Sequence, residues 1–254
     1  MKTRRILCLL AILAVIASGC NGKPQQPKPY DDTDSAPVKA AKTFIQAIND
    51  GDREAAELVL HSEASYEEEG KSPVLIKGVT GNSYVRRLVE KETRFVNPTL
   101  TGEGDGYCEF EVDQTNYIWS TLWNLKPEDM HYKYKFLVAD GLITRIFVYK
   151  NDAADKILTE NTNGTINIKV DQNDDGYLDV TQVGAASPAA GAGMQEGDVI
   201  KKIDGVDIKE MRDTYEIAYR LNGRIGEPVE LTVERGGKEM TFKPTRVEGK
   251  AQNP

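Results

Sequence analysis

One acidic segment has the spacing of a calcium-binding loop. Its oxygen-bearing side chains match the first, third, fifth and ninth positions of a twelve-residue loop that surrounds Ca²⁺ with oxygen ligands: Asp171, Asn173, Asp175 and Asp179. Position twelve of such a loop requires a bidentate Glu, and here it is Gln182. The segments on both sides alternate like strands, and Asn, Asp and Gly are also typical of a hairpin tip. Calcium binding and a hairpin tip are both compatible with this pattern.

A second set of residues could perform acid–base chemistry. Proton transfer beside a carbonyl needs a carboxylate base and an oxyanion donor such as Tyr. Asp113 is the candidate base, and the candidate donors are Tyr66, Tyr84, Tyr107 and Tyr117. Alternatively, Asp113 is a solvated strand end and the tyrosines lie at the edges of the core. The only histidines, His61 and His131, are expected at the surface rather than at a metal. No cofactor is predicted.

The N-terminus combines a secretory signal with a candidate lipid-attachment cysteine. Basic residues precede an apolar run, Ile6 to Ala17, that is too short to span a bilayer. The following Ala17-Ser18-Gly19-Cys20 resembles the bacterial lipobox, with Ala17 where Leu is usual. The resemblance implies a lipoprotein signal peptide over 1–19, acyl chains such as palmitate on Cys20, and a membrane-anchored protein of the bacterial cell envelope, facing the periplasm or the exterior. The alternative is an ordinary signal peptide.

Composition limits the remaining possibilities. The chain has 254 residues, enough for two domains, and a net charge of −8. Because phosphate binding needs a positive face, this acidic chain is not expected to bind nucleic acid. Proline-rich residues 20–35 cannot bury a core and are predicted to be a tether. Cys108 alternates with Phe110 and Val112, which predicts a buried strand position and leaves it no disulfide partner in the mature chain.

Residues 36–150 are predicted to form an α+β domain. Apolar residues recur at helical spacing up to Gly51, Asp52 can cap a second helix, and a third helical pattern begins near Ser83. Alternating strands follow, with Asp140-Gly141 as a hairpin turn. The segments 44–52 and 138–149 resemble the first helix pair and the closing hairpin of the NTF2-like family. The resemblance implies helices followed by a curved antiparallel sheet, a cone that holds a small ligand, an active site or nothing.

Residues 158–248 are predicted to be a second, mainly β domain. A short helical turn opens at Pro188, and Asp213 with Glu216 forms a capping box for one clear helix. Ser187-Pro188-Ala189, with the downstream segments 192–194, 196–200 and 203–205, is close to the PDZ family, in the form found in HtrA-type and C-terminal-processing proteases. The region upstream contains no Gly-x-Ser-x-Gly nucleophile motif, so the module is predicted to lack the usual protease.

The PDZ resemblance implies peptide binding rather than catalysis. An extended peptide adds to an open sheet edge beside a helix, and backbone N–H groups capture its C-terminal carboxylate. By position, the loop and receiving strand are Gly164, Thr165, Ile166, Asn167 and Ile168, and the helix wall is Tyr215, Ala218, Tyr219 and Leu221. Asn167 takes the place of the family's Gly, and Asn tolerates left-handed geometry. Binding of internal segments, or no ligand at all, are the alternatives.

The sequence therefore predicts a lipid-anchored, non-enzymatic adaptor that binds a peptide of another envelope protein. The alternative from a different class is a small-molecule binder or an enzyme that uses the NTF2-like cone. The two hypotheses predict different interiors for the cone, because a binder or an enzyme requires a cavity in which Asp113 is buried opposite a tyrosine. A filled interior favours the adaptor.

Overall fold

The computed structural model describes residues 31–76 and 84–249. The predicted signal peptide at 1–19, Cys20 and most of the predicted tether at 20–35 lie outside the described residues.

Helices open the first region, as predicted. The helix α1 ends at Gly51, which adopts the left-handed φ of 71° that glycine permits, and its N–H bonds the carbonyls of Ala47 and Ile48. Asp52 then caps α2 by accepting the Ala55 N–H at 2.9 Å, also as predicted. The helices of this region are α1 (Ala36–Asp50), α2 (Arg53–Leu58), α3 (Tyr84–Glu90) and α4 (Tyr117–Thr121).

The six described strands of the first region form one sheet in the order β2-β1-β6-β5-β4-β3. The β1–β6 pair is parallel and the other pairs are antiparallel. Asp140 and Gly141 both have positive φ and form the predicted turn between β5 and β6. The strands are β1 (Leu60–Glu68), β2 (Val74–Leu75), β3 (Arg94–Gly104), β4 (Tyr107–Thr115), β5 (His131–Ala139) and β6 (Leu142–Lys150).

Aromatic rings fill the space between α1 and the sheet. Phe44 on α1 meets Phe136 edge to face at 6.0 Å, and Phe110 meets the same ring at 6.3 Å. Cys108 lies on this inner face, where burial raises the pKa of its thiol to about 12. The predicted buried strand position of Cys108 is therefore confirmed.

The second region is built around a smaller sheet in the order β13-β12-β10-β9-β8, with the short strand β11 paired to β10. Strand β14 returns to pair with β7. The described strands are β7 (Gly164–Thr165), β8 (Ile168–Gln172), β9 (Leu178–Val183), β10 (Val199–Ile203), β11 (Val206–Asp207), β12 (Leu231–Arg235), β13 (Lys238–Phe242) and β14 (Val247–Glu248).

Three helices accompany this sheet: α5 (Asp152–Thr162), α6 (Pro188–Ala192) and α7 (Thr214–Leu221). The predictions of a turn opened by Pro188 and of a helix capped by Asp213 are confirmed, since Ser187 caps α6 and Asp213 accepts the Glu216 N–H at 3.0 Å. The sequence pattern did not reveal α5. None of the helices within the described ranges combines the length and the apolar character that a membrane span needs.

Candidate peptide-binding groove

The predicted receiving strand, β8, is an edge strand. It pairs with β9 on one side, and no other strand of the described residues pairs with it on the other. Ile168 and Val170 are half-buried against the core of the second region, while Lys169 between them is exposed. The free edge therefore offers unpaired backbone groups and part of an apolar surface, which are the two requirements for adding an extended peptide.

In the loop before β8, Asn167 adopts the left-handed backbone geometry that Asn was expected to tolerate there. Its φ is 62°, in the left-handed region that Asn tolerates better than most residues. Its N–H donates to the Thr165 hydroxyl at 3.1 Å, and its carbonyl accepts the Gly184 N–H at 3.0 Å. A Cβ on Gly184 would come within 2.6 Å of the Asn167 amide nitrogen, so a larger residue there would require the Asn167 side chain to move. Ile166 is 2% exposed and belongs to the domain core at the floor of the loop.

Helix α7, the predicted opposite wall, exposes a different set of residues from the one predicted. Ala218 and Thr214, one turn apart, are exposed, and neither side chain packs into a core. Leu221 and Ile217 point into the core of the second region. Leu221 is therefore a core residue rather than an exposed wall residue, and Thr214 is an exposed residue of α7 that the sequence prediction did not include. Its spacing of four from Ala218 was the available signal.

The prediction that Tyr215 and Tyr219 line the groove is wrong. Both side chains pack against the core of the first region. The Tyr215 hydroxyl donates to Glu90 at 3.3 Å, and the Lys91 ammonium donates to the Tyr219 hydroxyl at 3.2 Å. These residues lie on the face of α7 turned towards the first region, because the helical period separates them from Thr214 and Ala218.

Two sets of hydrogen bonds hold the C-terminal end of α7, one from Gly164 and one from Arg246. Gly164 exchanges both backbone hydrogen bonds with Gly223, at 2.7 and 3.1 Å, so its N–H is not available to a ligand. Beside this pair, Arg246 is 6% exposed and donates to the carbonyls of Arg220 at 2.6 Å and Leu221 at 3.1 Å. These are the last carbonyls of α7, which a helix leaves without internal partners. The sequence gives no local signal for this role of Arg246, because its partners lie more than twenty residues earlier.

The acidic segment is a hairpin tip between β8 and β9. The Asn173 side-chain oxygen accepts the N–H groups of Asp175 and Tyr177 at 3.1 and 3.0 Å, and its amide donates to Asp179 at 2.7 Å. Asn173 is therefore occupied by the turn itself. Within residues 31–76 and 84–249, no group of three His, Cys, Asp or Glu side chains is placed to hold a metal ion. The hairpin-tip interpretation of Asp171 to Asp179 agrees with this geometry.

Asp113 cannot act as the proposed base of an interior site. It lies on the outer face of β4, where its carboxylate is 2.9 Å from Nδ1 of His131. The residue that faces inward next to it is Gln114, which accepts the Tyr134 hydroxyl at 2.6 Å. The expectation of a surface position for His131 is confirmed, and the candidate base and donors do not converge.

The candidate tyrosines separate into different environments. Tyr66 and Tyr84 are buried and stacked with ring centroids 4.2 Å apart, and Tyr84 donates to the Tyr134 hydroxyl at 3.5 Å. Burial raises the pKa of Tyr84 above its ordinary value. Tyr107 is only half-buried, and Tyr117 donates to Asp213 of the second region. No carboxylate among the buried described residues lies in the first region.

Comparison with known proteins supports the two-part architecture. Residues 152–244 match the PDZ domain family. A serine protease Do-like HtrA of Lactobacillus helveticus is 32% identical over 82 residues, which are 32% of this chain and 19% of that protease. The chain thus spans about a fifth of the length of this curated relative.

Two solved structures illustrate the similarity of each part. An NTF2-like protein of unknown function from Cytophaga hutchinsonii has 17% identity and a TM-score of 0.39, over 51% of this chain and 100% of that one. A PDZ domain protein from Parabacteroides distasonis has 21% identity and a TM-score of 0.32, over 35% of this chain and 21% of that one. The helices and the six-stranded sheet of the first region agree with the predicted α+β class, and the second region matches the predicted PDZ domain.

Proposed function

We propose that this chain is a lipid-anchored adaptor of the bacterial cell envelope, whose PDZ domain binds an extended or C-terminal peptide of another envelope protein without catalysing a reaction. The observation that carries the proposal is the unpaired edge of β8 in a PDZ domain. The PDZ domain itself supports protein or peptide binding. The lipid anchor and the envelope partner rest on the pattern around Cys20.

The groove has the chemistry of an apolar peptide site. Its strand side carries the half-buried Ile168 and Val170, and its helix side carries the small residues Thr214 and Ala218. Small helix residues leave room between the two walls for the side chains of an added strand, whose backbone pairs with β8. The loop at Asn167 lies at the end of the groove where a terminal carboxylate would be captured.

Peptide binding is tested with the full chain and a set of fluorescein-labelled heptapeptides that end in different apolar residues, each as the free acid and as the C-terminal amide. Ala218→Glu places a charge on the exposed groove face of α7, so we expect it to weaken binding at least tenfold. Ala153→Glu is the matched control, because Ala153 is an exposed alanine on α5.

Saturable fluorescence anisotropy with the wild type and the Ala153→Glu chain, but not with Ala218→Glu, supports the groove. If the free-acid and amide forms of a peptide bind with equal affinity, and Ala218→Glu weakens both equally, the groove accepts internal segments as well as C-termini. No binding of any heptapeptide, or equal binding by both variants, contradicts the proposal.

Lipid attachment is tested separately in a bacterial host supplied with an alkyne-tagged palmitate. Cys20→Ser is expected to abolish incorporation of the tag and to move the protein from the detergent phase to the aqueous phase on detergent partitioning. Cys8→Ser, a cysteine inside the predicted signal, is the control and should leave both unchanged. Tag incorporation that persists in Cys20→Ser contradicts the anchor.

A further inference from the structure

The helix that forms one wall of the groove is held at its first turn by the other domain. Asp213 is the N-cap of α7, and its Oδ1 accepts both the Glu216 N–H and the hydroxyl of Tyr117 from the first region. A side chain that satisfies the first turn of a helix determines where that helix begins. Here the position of that side chain depends on a tyrosine almost one hundred residues earlier in the chain.

Further contacts surround this shared cap. The Arg212 guanidinium lies 4.2 Å from the ring centre of Tyr117, and its Nη2 is 2.6 Å from Oε1 of Glu92. Further along α7, the ring of Tyr219 meets Trp123 of the first region edge to face at 5.3 Å. The first region therefore contacts α7 on the face of Tyr215 and Tyr219, which lies about 100° around the helix from the exposed Thr214 and Ala218.

We infer that Tyr117 is a positioning residue for the peptide groove: through Asp213, the first domain holds α7 at the distance from β8 that an incoming strand requires. This inference rests on the proposed peptide-binding function. A wall that is already ordered loses less conformational entropy when a ligand binds, so the hydrogen bond contributes to affinity without touching the peptide. This gives the first domain a role in binding that requires no ligand of its own.

Tyr117→Phe tests this role because it removes the hydroxyl and keeps the ring beneath Arg212. The matched control is Tyr134→Phe, which removes a buried hydroxyl whose partners, Gln114 and Tyr84, both belong to the first region. We expect Tyr117→Phe to weaken heptapeptide binding about three- to tenfold, mainly through faster dissociation, as for the loss of one hydrogen bond. Tyr134→Phe should lower the thermal midpoint and leave the affinity within about twofold.

A double-mutant cycle identifies the path of the effect. Asp213→Ser keeps an effective N-cap but shortens the side chain away from Tyr117. If the two residues act through their hydrogen bond, the double variant binds no more weakly than the weaker single variant. Additive losses, or unchanged affinity in Tyr117→Phe, overturn the inference.

A second measurement separates this inference from the proposed function. Amide hydrogen exchange without peptide should become faster across 213–221 in Tyr117→Phe and remain unchanged there in Tyr134→Phe. If the wild type binds no heptapeptide, the proposed function fails whatever the exchange shows. If the wild type binds and exchange across 213–221 does not respond to Tyr117→Phe, only the inference fails.

Discussion

Arg246 gives the sharpest prediction about the integrity of the groove, because it is buried and no described carboxylate forms an ion pair with it. Its guanidinium donates to three carbonyls, those of Arg220, Leu221 and Pro228, at 2.6 to 3.1 Å. Burial lowers its pKa, but an arginine remains charged at neutral pH. Arg246→Met keeps much of the apolar stem and removes all three donors.

The expected cost follows from the groups that lose their partners. Each buried carbonyl left without a donor costs roughly 1–3 kcal/mol. Part of this is offset, because the wild type must keep an unpaired charge out of water and the variant need not. We therefore expect a net loss of about 2–4 kcal/mol, since larger values are rare for one substitution. At ~1.36 kcal/mol per factor of ten, amide protection across 214–223 should fall roughly 30- to 900-fold.

Hydrogen exchange with mass spectrometry measures this loss in the second domain. Amide protection across β5, in the sheet of the first region, serves as an internal reference. Lys243→Met, which removes an exposed cation of the same segment, should change protection less than about threefold. Unchanged protection across 214–223 in Arg246→Met, or an equal loss in Lys243→Met, would refute the assignment of Arg246 as the support of α7.

Three further outcomes follow from the second domain. Burial alone would raise the pKa of Asp198, but hydrogen bonds from Arg235 and a backbone N–H outweigh burial, and the net pKa lies below its usual range. The resulting stabilisation is present above about pH 4 and is lost as the pH falls through the lowered pKa. Asp198→Asn should therefore flatten the acid limb of a series of thermal midpoints measured from pH 6 to pH 2. Gly164→Ala should weaken heptapeptide binding at least tenfold in anisotropy titrations, because its Cβ would lie 2.5 Å from the Gly223 carbonyl oxygen. Asn167→Gly should keep the wild-type thermal midpoint to within a few degrees, whereas Asn167→Val should lower it by several degrees because a β-branched residue disfavours positive φ.

Local chemistry made much of the second domain predictable. The left-handed residue at 167, the cap at Asp213 and the helical turn at Pro188 each depend on one or two neighbouring residues, and the structure has all three. Strands β1 and β3 were not predicted, because most residues of β3 are exposed and the first half of β1 shows no regular alternation. Exposure on both faces removes the periodic signal on which strand prediction depends.

The orientation of α7 required information that no local pattern contains. Its sequence carries two apolar stripes, Ile217 with Leu221 and Tyr215 with Tyr219, and either could face a core. The structure uses both, one against each domain, and so leaves the small residues between them for the groove. Two apolar stripes on one helix, with a narrow strip of small residues between them, therefore indicate that the helix packs against two separate cores.

The free edge of β8 must accept one peptide strand and still resist pairing with the edge of a second copy. The strand is only five residues long, and Lys169 and Asp171 are exposed along it, which are features that discourage edge-to-edge association. In the proposed groove, the edge of a folded sheet is wider than one extended chain, so it would have to displace α7. Displacement is opposed at the start of the helix by Tyr117 and at its end by Arg246. The contacts that keep the groove ready for a peptide are thus the same ones that exclude a larger partner edge.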